Sequence, residues 1–69
     1  MIRLLVARKK MGLSQIELAE RAGTTNVQIS RIENGNVMPK SDLLKKLSEI
    51  LNVSMDYLMD ESDDETMKN

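Results

Sequence analysis

The sequence predicts an all-α fold of five short helices, and three observations carry that prediction. The first is a pair of helix-start signals, Ser14-x-x-Glu17 and Thr25-x-x-Gln28. Each reads as a capping box: the hydroxyl accepts from the backbone N–H three residues on, and that residue's side chain reaches back to the cap N–H. The second is a series of stops, at Gly12, Gly23 and Asn34-Gly35, followed by Pro39, which cannot continue a preceding helix. The third is apolar spacing at three and four residues between these signals. Five such helices within residues 1–59 leave no room for strands.

The elements follow in order. Ile2 to Met11 forms the first helix, with Leu4, Leu5 and Met11 on a broad apolar arc. Arg8 falls inside that arc. A charge there needs a partner, or else it snorkels to solvent. Glu33, on the border of the apolar face of the third helix, is the candidate partner. Gly12 ends the first helix and Leu13 enters the core before the Ser14 cap. The second helix carries Ile16, Leu18, Ala19 and Ala22 as its apolar positions and stops at Gly23. Ala19 is small, so the next helix can cross close over it. A glycine at the bend permits the crossing of roughly 90–120° found in a helix-turn-helix.

The third helix runs from the Thr25 cap to Asn34-Gly35, with Ile29 and Ile32 towards the core. The fourth spans Ser41 to Leu51. Leu43, Leu44, Leu47, Ile50 and Leu51 share one side, with Asp42, Lys45, Lys46 and Glu49 turned away. The last helix begins at the Ser54 cap, with Asp56 in its first turn. Met55, Leu58 and Met59 form its stripe. Met11 and Met55 read as core methionines, Met1 and Met67 as terminal ones, and Met38 and Met59 as surface. Residues 1–59 thus form one domain, and residues 60–69 an acidic tail expected to be disordered.

Charge divides along the same boundary. The chain of 69 residues carries a net −1, but residues 60–69 hold five carboxylates against Lys68, a net −4 that leaves residues 1–59 at +3. The tail lacks the glycine and spacing of an EF-hand, so no metal site is expected there. With 0 His and 0 Cys, the commonest general base and the thiol nucleophile are missing. The expectation is a protein that is not an enzyme and needs no cofactor or metal. The lack of cysteine suits a reducing cytoplasm. No apolar run approaches the roughly 18 residues of a membrane span, and no small-residue cleavage site follows the first residues, so a signal peptide is not expected. Tyr57 is the single aromatic residue. Single-stranded nucleic acid, which stacks on aromatic platforms, is therefore a poor fit; duplex DNA makes no such demand.

The third helix carries the functional reading. At about 100° per residue, Val27, Ser30 and Arg31 fall opposite Ile29 and Ile32, flanked by Asn26 and Gln28. Asn, Gln and Arg are the types that bind base edges in the major groove, and an exposed β-branched Val suits a thymine methyl. Asn26, Val27, Gln28 and Arg31 are the candidate base-facing residues, with an ordinary solvated polar face as the alternative.

The stretches GLSQIELAERAG and ISRIENG resemble the DNA-binding domain of the phage repressor and Cro family, the XRE-type helix-turn-helix transcriptional regulators. The resemblance runs from about Ile2 to Leu58. It includes Pro39, the helix Leu43 to Leu51, and Val53-Ser54-Met55-Asp56-Tyr57-Leu58. It implies a repressor-like five-helix domain that binds double-stranded DNA, as a homodimer on a palindromic operator. It implies backbone contacts from Gln15, Thr25, Ser30, Asn34, Asn36 and Lys40. It implies an ion pair between Arg8 and Glu33, and dimer contacts from Leu51, Asn52, Val53, Met55 and Met59. Two features depart from the family pattern: Thr24 stands where an aliphatic residue is more usual, and the loop Asn36-Val37-Met38 carries no charge. Two other functions fit the same fold. One is an antitoxin or accessory subunit that mainly serves a protein partner. The other is a protein-interaction module that has lost DNA binding, against which the basic core and the Asn/Gln/Arg face speak.

Overall fold

The computed structural model describes residues 1–60 and places five helices and no strand among them. They are α1 (Ile2–Lys10), α2 (Gln15–Ala22), α3 (Asn26–Glu33), α4 (Ser41–Leu51) and α5 (Met55–Met59). Of the acidic tail only Asp60 lies among the described residues; the expected disorder of the remainder falls outside them. Among the described residues no helix is long and apolar enough to cross a membrane.

Helix α2 packs on α3 and α4, while α1 packs on α3 and α5, and α5 closes against α4. Leu4, Leu18, Ile29, Ile32, Leu47 and Leu58 are the fully buried large side chains, one or two from each helix. A core built in this way depends on all five helices being present together. Ala19 and Ala22 are buried as well and let α3 approach α2 closely.

Several sequence expectations are corrected. Ile16 is 58% exposed, because at 100° per residue it stands roughly 115° away from the mean direction of the buried Leu18, Ala19 and Ala22. Met11 is 45% exposed, because α1 ends at Lys10 and Met11 caps it outside the helical arc. Met1 is buried rather than merely terminal, and its ammonium donates to the Ile32 carbonyl at 2.9 Å. Leu43, Ile50 and Met55 are half-buried and packed against the core, and Leu5 is half-buried. Ser48 is buried on α4 and satisfies its hydroxyl by donating to the Lys45 carbonyl at 2.7 Å.

The helix starts are fixed by side-chain caps. Ser14 and Glu17 form both halves of a capping box, at 3.0 Å and 2.8 Å. Ser54 accepts from the Tyr57 N–H at 2.9 Å and starts α5. Thr25 accepts from the Gln28 N–H at 3.1 Å, but the return bond from the Gln28 side chain does not form, so this cap is half of a box. Gln28 is one of the residues that line a surface cleft. At the end of α4 the left-handed residue is Asn52, at φ 57, one of the few side chains that tolerates that region. Val53 then donates back to the Ser48 carbonyl at 3.0 Å.

Among the described residues one buried ion pair, Arg8 with Glu33, joins α1 to α3. Arg8 Nε donates to Glu33 Oε2 at 2.6 Å and Nη2 to Oε1 at 3.2 Å, while Nη1 donates to the Leu13 carbonyl at 2.9 Å. The two side chains are 9% and 3% exposed, so neither has water as a substitute partner. A second, more exposed cation holds α5: Arg3 lies 4.5 Å from the Tyr57 ring centroid and 3.7 Å from the Asp60 carboxylate.

Glu33→Ala leaves Arg8 buried without its counter-charge and should destabilise the fold by about 3–5 kcal/mol. Replacing both residues with apolar side chains of similar volume should recover most of that loss. Denaturant unfolding of the single and double variants checks both, and an unchanged midpoint for Glu33→Ala would refute the buried pair. The capping box gives a pH dependence. The Ser14 backbone N–H, then the Ser14 hydroxyl and, more weakly, Arg21, hold the Glu17 carboxyl below the ordinary carboxylate value. A depressed folded-state pKa contributes stability that is full above the unfolded value and is lost as pH falls through the folded one. Thermal melts across the acid range should show this component in the wild type and not in Glu17→Gln.

Candidate nucleic-acid interface

Helix α3 is delivered to the surface by the turn that precedes it. Gly23 adopts φ 72, a left-handed conformation that costs glycine nothing. The Thr24 N–H then donates to the Ala19 carbonyl at 2.9 Å, which closes α2 and reverses the chain. Ile29, Ile32 and Glu33 bury one side of α3. The opposite side is open: Asn26 and Arg31 are exposed, Val27 is 53% exposed, and Gln28 and Ser30 are half-buried. The helix ends where the Gly35 and Asn36 N–H groups donate to the Ile32 and Arg31 carbonyls, at 3.1 Å and 2.9 Å. Asn26, Val27 and Arg31 therefore form an exposed ridge that presents amide, methyl and guanidinium groups outward, with Gln28 half-buried at its edge.

The remaining candidates ring that ridge. Thr25, Asn34, Asn36 and Lys40 are exposed. Gln15, at the start of α2, is half-buried, and its Nε2 donates to Glu33 Oε1 at 2.9 Å. The ion pair of the core thus extends to the edge of the ridge. An amide nitrogen has two N–H donors, so this bond orients the Gln15 side chain and leaves one donor for an outside acceptor. Gln15 and Glu33 are far apart in sequence, and no spacing rule links them.

Beside the ridge lies a cleft of about 340 Å³, where the end of α2 and the start of α3 meet the first turns of α4. Gln28, Thr24, Lys40 and Lys46 line its wall. Lys46 had read only as a solvent-facing residue of the fourth helix; its place in this cleft depends on how α4 packs on α2. A second groove of about 260 Å³ lies on the far side, lined by Ala7, Lys10, Met11, Leu51, Val53 and Tyr57. Of the candidate dimer residues, Leu51 and Val53 line it. Leu51 is buried, Val53 and Met55 are half-buried, and Asn52 and Met59 are exposed. Among the described residues no cluster of His, Cys, Asp and Glu could hold a metal.

Comparison with known proteins agrees with this geometry. The family model described as helix-turn-helix matches residues 4–58. The chain is 44% identical over 57 residues to the HTH-type transcriptional regulator ImmR of Bacillus subtilis (strain 168), covering 83% of this chain and 45% of that protein. It is 41% identical over 58 residues to the HTH-type transcriptional regulator SinR of Bacillus licheniformis, covering 83% of this chain and 52% of that protein. The chain therefore spans about half the length of the curated relatives it matches. Among solved structures, a chain of the SinR protein/SinI protein complex superposes with a TM-score of 0.84 at 38% identity, over 94% of this chain and 66% of that one. A match through all five helices, from Leu4 to Leu58, shows that this chain belongs to the helix-turn-helix family, in its phage repressor and Cro branch.

Proposed function

We propose that the chain is a cytoplasmic, sequence-specific duplex-DNA-binding domain of a transcriptional regulator, acting as a repressor, and that α3 reads the major groove. The observation that carries this reading is the open side of α3, with Asn26, Val27 and Arg31 exposed and Gln28 half-buried beside them, on a helix whose other side is pinned in the core. The relatives' description as transcriptional regulators supports it. In this reading Arg31 makes a bidentate contact to guanine, and Asn26 and Gln28 bind base edges. Val27 covers a thymine methyl. Gln15, Thr25, Ser30, Asn34, Asn36 and Lys40 hold the phosphate backbone and fix the register.

One recognition helix reads only a few base pairs, so selectivity in a genome calls for two copies. A two-fold dimer would place two α3 helices in successive major grooves about 34–36 Å apart, on a palindromic operator. Asn52, Val53, Met55 and Met59 form its surface, with Leu51 beneath them. This surface is apolar but small, so the dimer is weak in free solution and DNA stabilises it by engaging both copies. The related SinR structure is a complex with a second protein, SinI. A protein partner for this chain is accordingly the second reading, and affinity capture from the source cell separates the two.

Selection of bound sites from a random duplex library tests the reading directly: a single enriched palindrome is expected, and recovery of unenriched sequence would overturn it. Arg31→Ala should relax preference at one position per half-site, at about 1–3 kcal/mol. Lys40→Ala should weaken all sequences alike and lower the salt slope by about one. Equal losses on every sequence for Arg31→Ala would remove it from base reading. Moving one half-site by about five base pairs puts it on the opposite face of the duplex. Affinity should then fall to that of a single half-site, as read by gel shift; equal affinity would refute the dimer.

A further inference from the structure

We infer that the cleft between the α2–α3 turn and the start of α4 is a binding site for the DNA backbone, and that Lys46 is its principal cation. The inference rests on the duplex-DNA reading above and adds to it a site and a residue. Helix α4 packs on α2. The packing carries the Lys46 side chain back over the α2–α3 turn, so that its Nζ lies 4.0 Å from where a Cβ on Gly23 would stand. Lys40 stands at the other lip of the cleft.

Two lysines therefore line one concave surface with a single carboxylate, Asp42. Among the described residues the ion pairs are Arg3 with Asp60 and Arg8 with Glu33, so the Lys46 ammonium is engaged in neither. Two further residues with side-chain donors line the same cleft. Gln28, whose capping box is half-made, is among the lining residues. Thr24, the departure from the family pattern, supplies a hydroxyl where an aliphatic side chain would supply none. Apolar atoms of Ala22, Met38 and Leu43 complete the lining.

This is the chemistry of a phosphodiester strand. Anionic oxygens accept from ammonium, amide and hydroxyl groups, and the deoxyribose carbons lie against apolar atoms. Continuity with the ridge selects the DNA backbone over a free anion. Gln28 belongs to both surfaces, so a strand bordering the groove that α3 enters passes the cleft directly. The open shape of the cleft accommodates a strand that passes through without ending there.

The test measures binding to a short random-sequence duplex across salt concentration, with the full chain as wild type, Lys46→Gln, Lys46→Arg and Lys45→Gln. Lys45→Gln removes the same charge one residue away, outside the cleft, and controls for net charge. Loss of one phosphate contact lowers the salt slope by about 0.9, so over a fourfold rise in salt the wild type should lose about 3.5-fold more affinity than Lys46→Gln. Lys46→Arg should restore the slope, and Lys45→Gln should change it by less than half as much. Thermal melting of each variant verifies that the fold is intact. A second measurement uses the duplex recovered by site selection, with single neutral methylphosphonates placed along each strand. One position should cost the wild type affinity and cost Lys46→Gln none. A wild type that binds no duplex overturns both the regulator reading and the cleft. A wild type that binds, with Lys46→Gln keeping the same slope and the same methylphosphonate profile, overturns the cleft alone.

Discussion

The buried contact between Arg8 and Glu33 is the constraint on which the arrangement of the surface depends. Glu33 lies in the last turn of α3 and Arg8 in α1, so their two parallel hydrogen bonds fix where the end of α3 can lie. A buried charged pair is weak evidence of added stability, since apolar replacements often do as well. Its value here is positional. Apolar contacts at Ile29 and Ile32 tolerate small rotations of α3 about its axis. A bidentate guanidinium–carboxylate contact does not, because its geometry is directional. The ridge opposite inherits that restriction, and its side chains keep their angle to whatever docks there.

The same carboxylate reaches outward. Glu33 accepts from Arg8 inside and from Gln15 at the surface, so one acidic group links the core to the margin of the ridge. The linkage couples folding and presentation: a chain that loses the pair loses the orientation of Gln15 along with its stability. Capping contributes the complementary restraint at the start of α3. Gly23 and Thr25 determine where the helix begins, and Glu33 determines where it ends, over only eight residues. Between two such anchors a short helix has little freedom left.

Local signals made much of this legible in the sequence. Ser14-x-x-Glu17, Gly23 and Ser54 each act through bonds within three or four residues, and the helix starts and stops they imply lie where the structure has them. Arg8 stood out because a charge inside an apolar arc is a contradiction that only a partner or a path to solvent resolves. Ile16 and Met11 were misread for the opposite reason. Hydrophobicity alone suggested burial, while the wheel position of one and the capping position of the other left them outside. The Thr25 box was read as reciprocal, yet only the bond from the Gln28 N–H to the Thr25 hydroxyl forms. The bond from Gln15 to Glu33 and the cleft position of Lys46 were not legible at all. Both join segments brought together by helix packing, and sequence spacing does not encode that.

Lys46 illustrates how a small domain meets two demands with few residues. A 60-residue body buries little surface, so most of its side chains stand at or near solvent. The helices that build its core must therefore also supply its contacts. Leu44 and Leu47 of α4 belong to the core, and Lys46, one of the two lysines between them, lines the cleft beside α3. One helix thus serves the core through one face and the neighbouring surface through another. The uncharged loop Asn36-Val37-Met38 supplies no cation of its own, so positive charge near the start of α4 comes from Lys40 and from the helix itself. A lysine on a helix is better placed than one on a loop for holding an anion in register. Its backbone is fixed by hydrogen bonds on both sides, and only the side-chain torsions remain to be ordered when the anion arrives.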